Sequence, residues 1–243
     1  VDGTTYTERQ TYDQFGRLRA QWLRRQGQAF GHRLLMDCVV PGGVRGEPQA
    51  AGAAALLRQI QVLRAELRDI RPILEDHPSL EDRLIGTGVL TPAAAAQLGV
   101  PGVVGRASGV DADVRRDRRH PPYDAVEVTV ALARDGDVAA RMRVRLDEIE
   151  TSLRLLEQWL AAAPAGTTAA AWRPPAAGAH GLGAVEGWRG EVLTYVRFDG
   201  EGRIARFFPR DPSWFLWPAL EQAIQGNIVP EFPVCNKSVN ASY

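Results

Sequence analysis

Hydrophobic residues recur at steps of three and four over several stretches of this chain, and such steps predict helices. Leu56, Ile60, Leu63, Leu67, Ile70 and Leu74 form one stripe, with Arg58, Arg64, Glu66, Arg68 and Asp69 on other faces. Pro72 is expected to bend or end that helix. A stronger stripe runs over about 137–162, through Val138, Met142, Leu146, Ile149, Leu153, Leu156 and Leu160, with Arg141, Arg145, Glu148 and Glu157 around it. It reads as core structure. Residues 5–31 carry Phe15, Leu18, Trp22 and Phe30 at helical spacing, and Pro41-Gly42-Gly43 breaks the pattern.

Punctuation marks two shorter helices. Thr91 is the expected N-cap, Pro92 fills the first helical position, and Gly99 stops the helix. A last helix is predicted over 213–225, ending at Gly226. Strands are fewer: 126–132 alternates, and 192–198 with 203–208 predicts a hairpin around Asp199-Gly200-Glu201-Gly202. Residues 164–182, rich in Ala, Pro and Gly, read as a flexible loop. The fold class is therefore α+β, predominantly α, with a small β-hairpin or sheet. It is read as a single domain over 1–243, without internal repeats.

Composition narrows the function. The 243 residues hold 29 basic and 29 acidic side chains, so there is no basic excess of the kind that marks nucleic-acid binding. No apolar run approaches the ~20 residues of a membrane-spanning helix, so any membrane association is expected to run through partners. Cys38 and Cys235 are far apart and form no CxxC pair or zinc set. His77, His120 and His180 show no ligand spacing. A chain that opens on Val1 reads as a piece of a longer protein.

Five blocks carry candidate chemistry. The first is residues 30–44, FGHRLLMDCVVPGGV. The second is GRASGVDADVRRD over 105–117, with Arg106, Asp111, Asp113, Arg115 and Asp117. Gly136-Asp137 leads into the long helix with Arg145, Glu148 and Ser152. The fourth is Val185-Glu186-Gly187-Trp188-Arg189-Gly190-Glu191, and the fifth is Asp211-Pro212-Ser213 with the ending Lys237-Ser238-Val239-Asn240-Ala241-Ser242. Charges as dense as those of 105–117 read equally as a loop stitched by salt bridges. If exposed, each bridge is worth ~0–1 kcal/mol; if buried, losing one partner costs ~3–5 kcal/mol. His32 reads as a packed, hydrogen-bonded side chain or as a cavity residue.

In this order the blocks resemble the C-terminal portion of the [NiFe]-hydrogenase large subunit and the 49-kDa-type subunit of respiratory complex I, in the energy-converting, formate-hydrogenlyase-like branch. The second block is similar to the family's R-A-S-G-x-x-x-D-x-R-x-D, and the fourth to its E-x-P-R-G, with Trp188 in place of the Pro. A Trp there is expected to reshape the loop or to fill part of a cavity. In the hydrogenases the Arg matching Arg189 stands over the nickel-iron centre; in the complex I relatives the cavity has lost its metal and lies beside the quinone site, against the iron-sulfur subunit. The hydrogenase metals are held by two CxxC pairs, the second in G-S-[LF]-D-P-C-x-x-C. Aligned on that pattern, Ser238 matches the Ser, while Asn240, Ala241 and Ser242 replace the Asp, the Pro and the first Cys. Cys235 lies seven residues too early. A hydroxyl cannot replace a bridging thiolate.

The resemblance thus implies a hydrogenase large-subunit-like helical core within a complex I-like or formate-hydrogenlyase-like NADH/quinone oxidoreductase. The subunit is expected to shape a quinone or electron-transfer cavity, to lack its own nickel-iron centre and to have no activity alone. Cavity candidates are Glu186, Arg189, Arg106, Asp111, Asp113, Arg115, His32 and Asn240; no catalytic residue and no metal ligand is assigned. No cofactor is expected in the chain itself, whereas a quinone at the subunit interface, a 4Fe-4S cluster in a partner and NAD binding within the complex follow from the family. Partners would be a small iron-sulfur subunit and, through other proteins, a membrane arm. The subunit would be cytoplasmic, peripheral on the inner face of the membrane as part of a complex, and the isolated piece would self-associate through newly exposed apolar surface. A degenerate paralogue kept for assembly, and an active hydrogenase, are the alternatives.

Overall fold

The computed structural model describes residues 3–45, 50–162, 166–171, 173 and 175–242. The chain is α+β and mostly helical, and it separates into two compact units. One comprises Val1–Ser79 with Leu153–Arg173, the other Leu80–Ser152 with Pro174–Tyr243.

In the first unit, α1 (Gly3–Phe30) packs on α2 (Ala50–Glu75). The pairing is antiparallel: Gly52 lies against Ala29 near one end, and Arg17 bonds Glu66 at 2.7 Å toward the other. A Cβ on Gly52 would stand 3.1 Å from Ala29, so the missing side chain is what lets the two backbones approach. Leu18 of α1 is buried, as are Leu56, Ile60 and Ile70 from the predicted stripe of α2. The α2 helix runs through Pro72 to Glu75. Pro72 removes one backbone donor, yet its own carbonyl still accepts from Asp76 at 2.8 Å.

Between these helices, β1 (Val39–Val40) and β2 (Gly43–Val44) make a two-stranded hairpin around Pro41-Gly42, and Gly43 bridges Ala169. Part of 164–182 lies outside the described residues; of the remainder, 180–182 belong to a strand.

The second unit begins with α3 (Pro78–Leu84), which starts in the first. Then follow α4 (Pro92–Gln97), α5 (Gly102–Ala107), α6 (Val114–Asp117) and the long α7 (Val138–Ala161), whose end lies in the first unit. Thr91 caps α4 as predicted, its Oγ1 accepting from the Ala94 amide at 3.2 Å, and Gly99 leaves it with φ 62°. A three-stranded antiparallel sheet is formed by β3 (His180–Gly187), β4 (Gly190–Phe198) and β5 (Ile204–Arg210), in that order. The last two helices are α8 (Ser213–Ala223) and α9 (Phe232–Val239). The core joins α4 and α5 to α8 and α9 through Leu90, Val100, Val104, Leu216, Leu220, Cys235 and Val239.

One expected strand is absent. Residues 126–132 alternate but lie in irregular structure. Just beyond them the backbone bonds to α5: the Ala133 amide donates to Arg106 O at 3.0 Å and the Gly136 amide to Ala107 O at 2.9 Å. Without a neighbouring strand, alternation alone does not make a ladder.

Candidate functional site

The long helix α7 builds the floor of the site. Asp137, Arg141, Val144, Glu148 and Thr151 step by four and three, and all are buried. This stripe sits beside the purely apolar one, so charges that the sequence places around a core helix are themselves in the interior.

Arg106, at the end of α5, has almost no exposed surface. Its Nε donates to Glu148 Oε1 at 2.6 Å, and its Nη1 to Glu186 Oε1 at 2.9 Å and to the Ala112 carbonyl at 3.0 Å. Asp113 Oδ2 lies 3.5 Å from the same Nη1. Burial alone disfavours the Arg106 charge, but Glu148, Glu186 and Asp113 together outweigh it and hold the guanidinium above its ordinary pKa.

Asp113 caps α6 by accepting from the Arg115 amide at 3.0 Å, and it takes a two-pronged bond from the Arg115 guanidinium at 2.9 and 2.6 Å. Glu186, on β3, closes the cluster: its Oε2 accepts from the Val114 amide at 3.2 Å. Burial raises the Glu186 pKa, Arg106 opposes that, and Asp113 adds to it; the result is a carboxyl above the usual range.

Against Glu186 and Asp113 lies a cleft of about 360 Å³. Its apolar wall comes from Val100, Val110 and Val114, and its rim from Arg118 and Glu191, 3.6 Å apart. That volume is at the small end of ligand pockets, which run from ~300 to 1,000 Å³. Glu186 therefore belongs both to a buried charge network and to the lining of the cleft.

Two residues beyond Glu186, the chain reverses at Trp188-Arg189, between Gly187 and Gly190, which pair in register. Trp188 is half exposed at this tip. It does not line the cleft beside Glu186. Gly190, at φ 128°, takes the conformation a side chain would resist. The turn presses on the start of α5: a Cβ on Gly102 would stand 2.3 Å from the Arg189 carbonyl oxygen.

The Arg189 Nε donates to the carbonyl oxygen of Asn240. Asn240 ends α9 in the left-handed region at φ 57°. Arg141 and Arg145 hold that helix end from below. The Arg141 guanidinium donates to Ser238 Oγ at 3.0 Å, and that of Arg145 to the Ser238 carbonyl at 2.5 Å. Burial lowers both arginines to about 10, with Arg145 contributing to the shift at Arg141. Beyond Asn240, the Ser242 amide donates to Ser213 Oγ at 2.8 Å. The neighbouring Asp211 carboxyl is held below the usual range by Ser213, despite some burial, with Arg189 helping.

The structure thus gathers Arg106, Asp113, Arg115 and Glu186 in one cluster and sets Arg189 on Asn240. Asp111 lies outside, exposed and paired with Arg116 at 2.5 Å. His32 lies in the other unit, where its Nδ1 accepts from the Leu34 and Met36 amides at 3.2 and 3.3 Å. Glu148, named in the third block but not among the cavity candidates, joins the cluster, and its step from Arg141 and Val144 is the signal. Around Asn240 the polar groups are hydroxyls, carbonyls and a guanidinium, while Cys235 is fully buried in the apolar core. Among the described residues no group of three or more His, Cys, Asp or Glu is placed to hold a metal ion. These residues do not fit a nickel-iron group, which needs soft thiolates.

Residues 14–177 match the family of the 49 Kd subunit of respiratory-chain NADH dehydrogenase. The chain is 33% identical over 212 residues to the carbon monoxide-induced hydrogenase of Rhodospirillum rubrum, covering 87% of this chain and 59% of that protein. It is 25% identical over 230 residues to formate hydrogenlyase subunit 5 of Escherichia coli (strain K12), covering 95% and 40%. It also superposes on a chain of the membrane-bound sulfane sulfur reductase, an archaeal respiratory membrane complex, with a TM-score of 0.85 and 27% identity, covering 93% and 64%. The chain spans less than two thirds of the length of each of these relatives.

Proposed function

Since the chain belongs to the family of the 49 Kd subunit of respiratory-chain NADH dehydrogenase, we propose that it serves as the large-subunit-like component of a complex I-like or formate-hydrogenlyase-like oxidoreductase. In this reading it has no nickel-iron centre of its own. It docks on a small iron-sulfur subunit that carries a 4Fe-4S cluster, and it shapes a quinone or electron-transfer cavity with Glu186, Arg189 and the 106–117 loop. NADH oxidation and NAD binding belong to other parts of such a complex. Its relatives include a hydrogenase, a formate hydrogenlyase subunit and a chain of a respiratory membrane complex. Among the described residues no helix is long and apolar enough to cross a membrane, which supports a peripheral position, here proposed on the cytoplasmic face.

The observation that carries the reading is the Arg106–Glu186 pair, buried on one side and opening to a cleft on the other. The cleft beside this pair supports the cavity reading, since a subunit kept only for assembly needs no such space. Replacing Arg189 by Ala in the assembled complex tests this. A large loss of electron transfer with the complex intact supports the cavity; unchanged activity, or failure to assemble, supports the scaffold.

A further inference from the structure

From residue 14 to residue 36 the chain has five arginines and no carboxylate. This stretch includes the second half of α1, a helix that packs antiparallel on α2. Near the middle of the pair the excess charge is balanced, because Arg17 bonds Glu66 of α2 at 2.7 Å. One to three turns further along α1 it is not. There Gln21, Arg24, Arg25 and Gln28 repeat at the spacing of an apolar seam, yet all four are polar. Opposite them α2 presents Gln59 and Val62, and the six residues line a groove of about 490 Å³.

The hydrogen bonds inside the groove engage the carboxamide oxygens of Gln21 and Gln28. Gln59, itself buried, donates from Nε2 to Gln21 Oε1 at 3.3 Å. Arg25 donates from Nη1 to Gln28 Oε1 at 3.1 Å. That leaves the amide donors of Gln21 and Gln28, most of the Arg25 fork and the whole Arg24 guanidinium without an acceptor among the described residues. A lining with two fixed positive charges, surplus N–H donors and no carboxylate is complementary to an oxyanion. Arginine forks match the tetrahedral oxygens of phosphate in particular.

We propose that this α1–α2 groove binds a phosphate group, contacted by Arg24 and Arg25 and oriented by the Gln21 and Gln28 carboxamides. Free phosphate and the headgroup of an anionic phospholipid present the same chemistry.

The test uses the full chain, titrated with inorganic phosphate and with pyrophosphate against sodium chloride of equal ionic strength, and followed by calorimetry and amide chemical shifts. Arg24→Gln/Arg25→Gln is compared with Arg19→Gln/Arg33→Gln, which removes equal charge from the same stretch outside the groove. Saturable binding, tighter for pyrophosphate, is expected in the wild type and in the control pair. In the groove pair it should weaken by roughly tenfold or more, since charge-assisted bonds to two arginines are lost. Equal weakening in both pairs, or a response that follows ionic strength alone, overturns the proposal.

Co-sedimentation with phosphatidylglycerol vesicles, against phosphatidylcholine, separates the sources. Retention that needs Arg24 and Arg25 assigns the site to a headgroup, and binding confined to solution assigns it to free phosphate. If the groove pair does not fold, the wild-type shifts decide: perturbation centred on 21–28 and 59–62 supports the site, and perturbation elsewhere or none removes it.

Discussion

Arg106 and Glu186 stand 80 residues apart in the chain and meet at 2.9 Å, in the interior of the second unit. The pair ties the 105–117 block to the 185–191 block, and Glu148 of α7 anchors its other side at 2.6 Å. Its weight depends on burial. Arg106→Ala leaves Glu148, Glu186 and Asp113 without their shared cation, and breaking a buried pair costs ~3–5 kcal/mol. Arg116→Ala removes two ion pairs of similar length, to Asp111 and Asp117, but in an exposed setting worth ~0–1 kcal/mol each. Denaturant unfolding of the two variants should show that contrast. Equal, small losses would mean that the cluster is solvated.

The same network predicts a pH dependence. Burial holds the Glu186 carboxyl above its usual range, so the folded chain binds that proton more tightly than the unfolded chain does. Glu186 therefore adds stability that is present below the ordinary carboxylate pKa of about 4.3 and is lost as pH rises through the raised value. Glu186→Gln cannot titrate. Relative to wild type, the variant should gain stability as pH rises from about 4 toward neutrality. Thermal melts across that range measure the difference, and a difference that is flat or falls with pH contradicts the assignment.

Gly102 has φ 64°, and a Cβ there would stand 2.3 Å from the Arg189 carbonyl oxygen and 2.6 Å from the Gly190 amide nitrogen. Gly102→Ala should cost about 2 kcal/mol or more, combining left-handed strain with a backbone clash. It should also displace the turn that carries Arg189. Amide chemical shifts of 187–191 would report the displacement, and a neutral substitution would mean that the turn and α5 are not in contact.

Much of the fold is legible where one physical term dominates. The stripes of α2 and α7, the Thr91-Pro92 cap and the hairpin of β4 and β5 are each set by local spacing or turn chemistry. β3 is not: Gly181, Gly183 and Gly187 give it little strand propensity, and it forms because β4 offers a partner along its whole length. The opposite holds for 126–132, which has the alternation and lacks the partner. α9 is equally silent, since its pattern is short and its burial comes from packing against α8.

The site was legible as blocks and not as geometry. Arg106, Asp113, Arg115 and Glu186 are all visible as charged residues in two motifs, but only the fold shows that they converge. Asp111, in the same motif, turns outward. Arg141 and Glu148 look like the solvent face of a helix because charge is normally exposed. Here each buried charge has bonded partners, and that exchange is invisible in a one-dimensional pattern. Trp188 sits half exposed at the reversal between Gly187 and Gly190, away from the lining of the cleft, a placement that spacing alone does not reveal.

The proposed function keeps a hydrogenase-type large-subunit scaffold without its metal centre. Around Asn240 and Ser242 the chain offers hydroxyl, carbonyl and guanidinium groups, with Cys235 sealed in the core. Elemental analysis of the purified protein for nickel and iron, taken from the assembled complex and normalised to this subunit, is the most direct test. The account predicts no nickel, and only the iron assignable to partner clusters. Nickel in stoichiometric amount with this chain would contradict it.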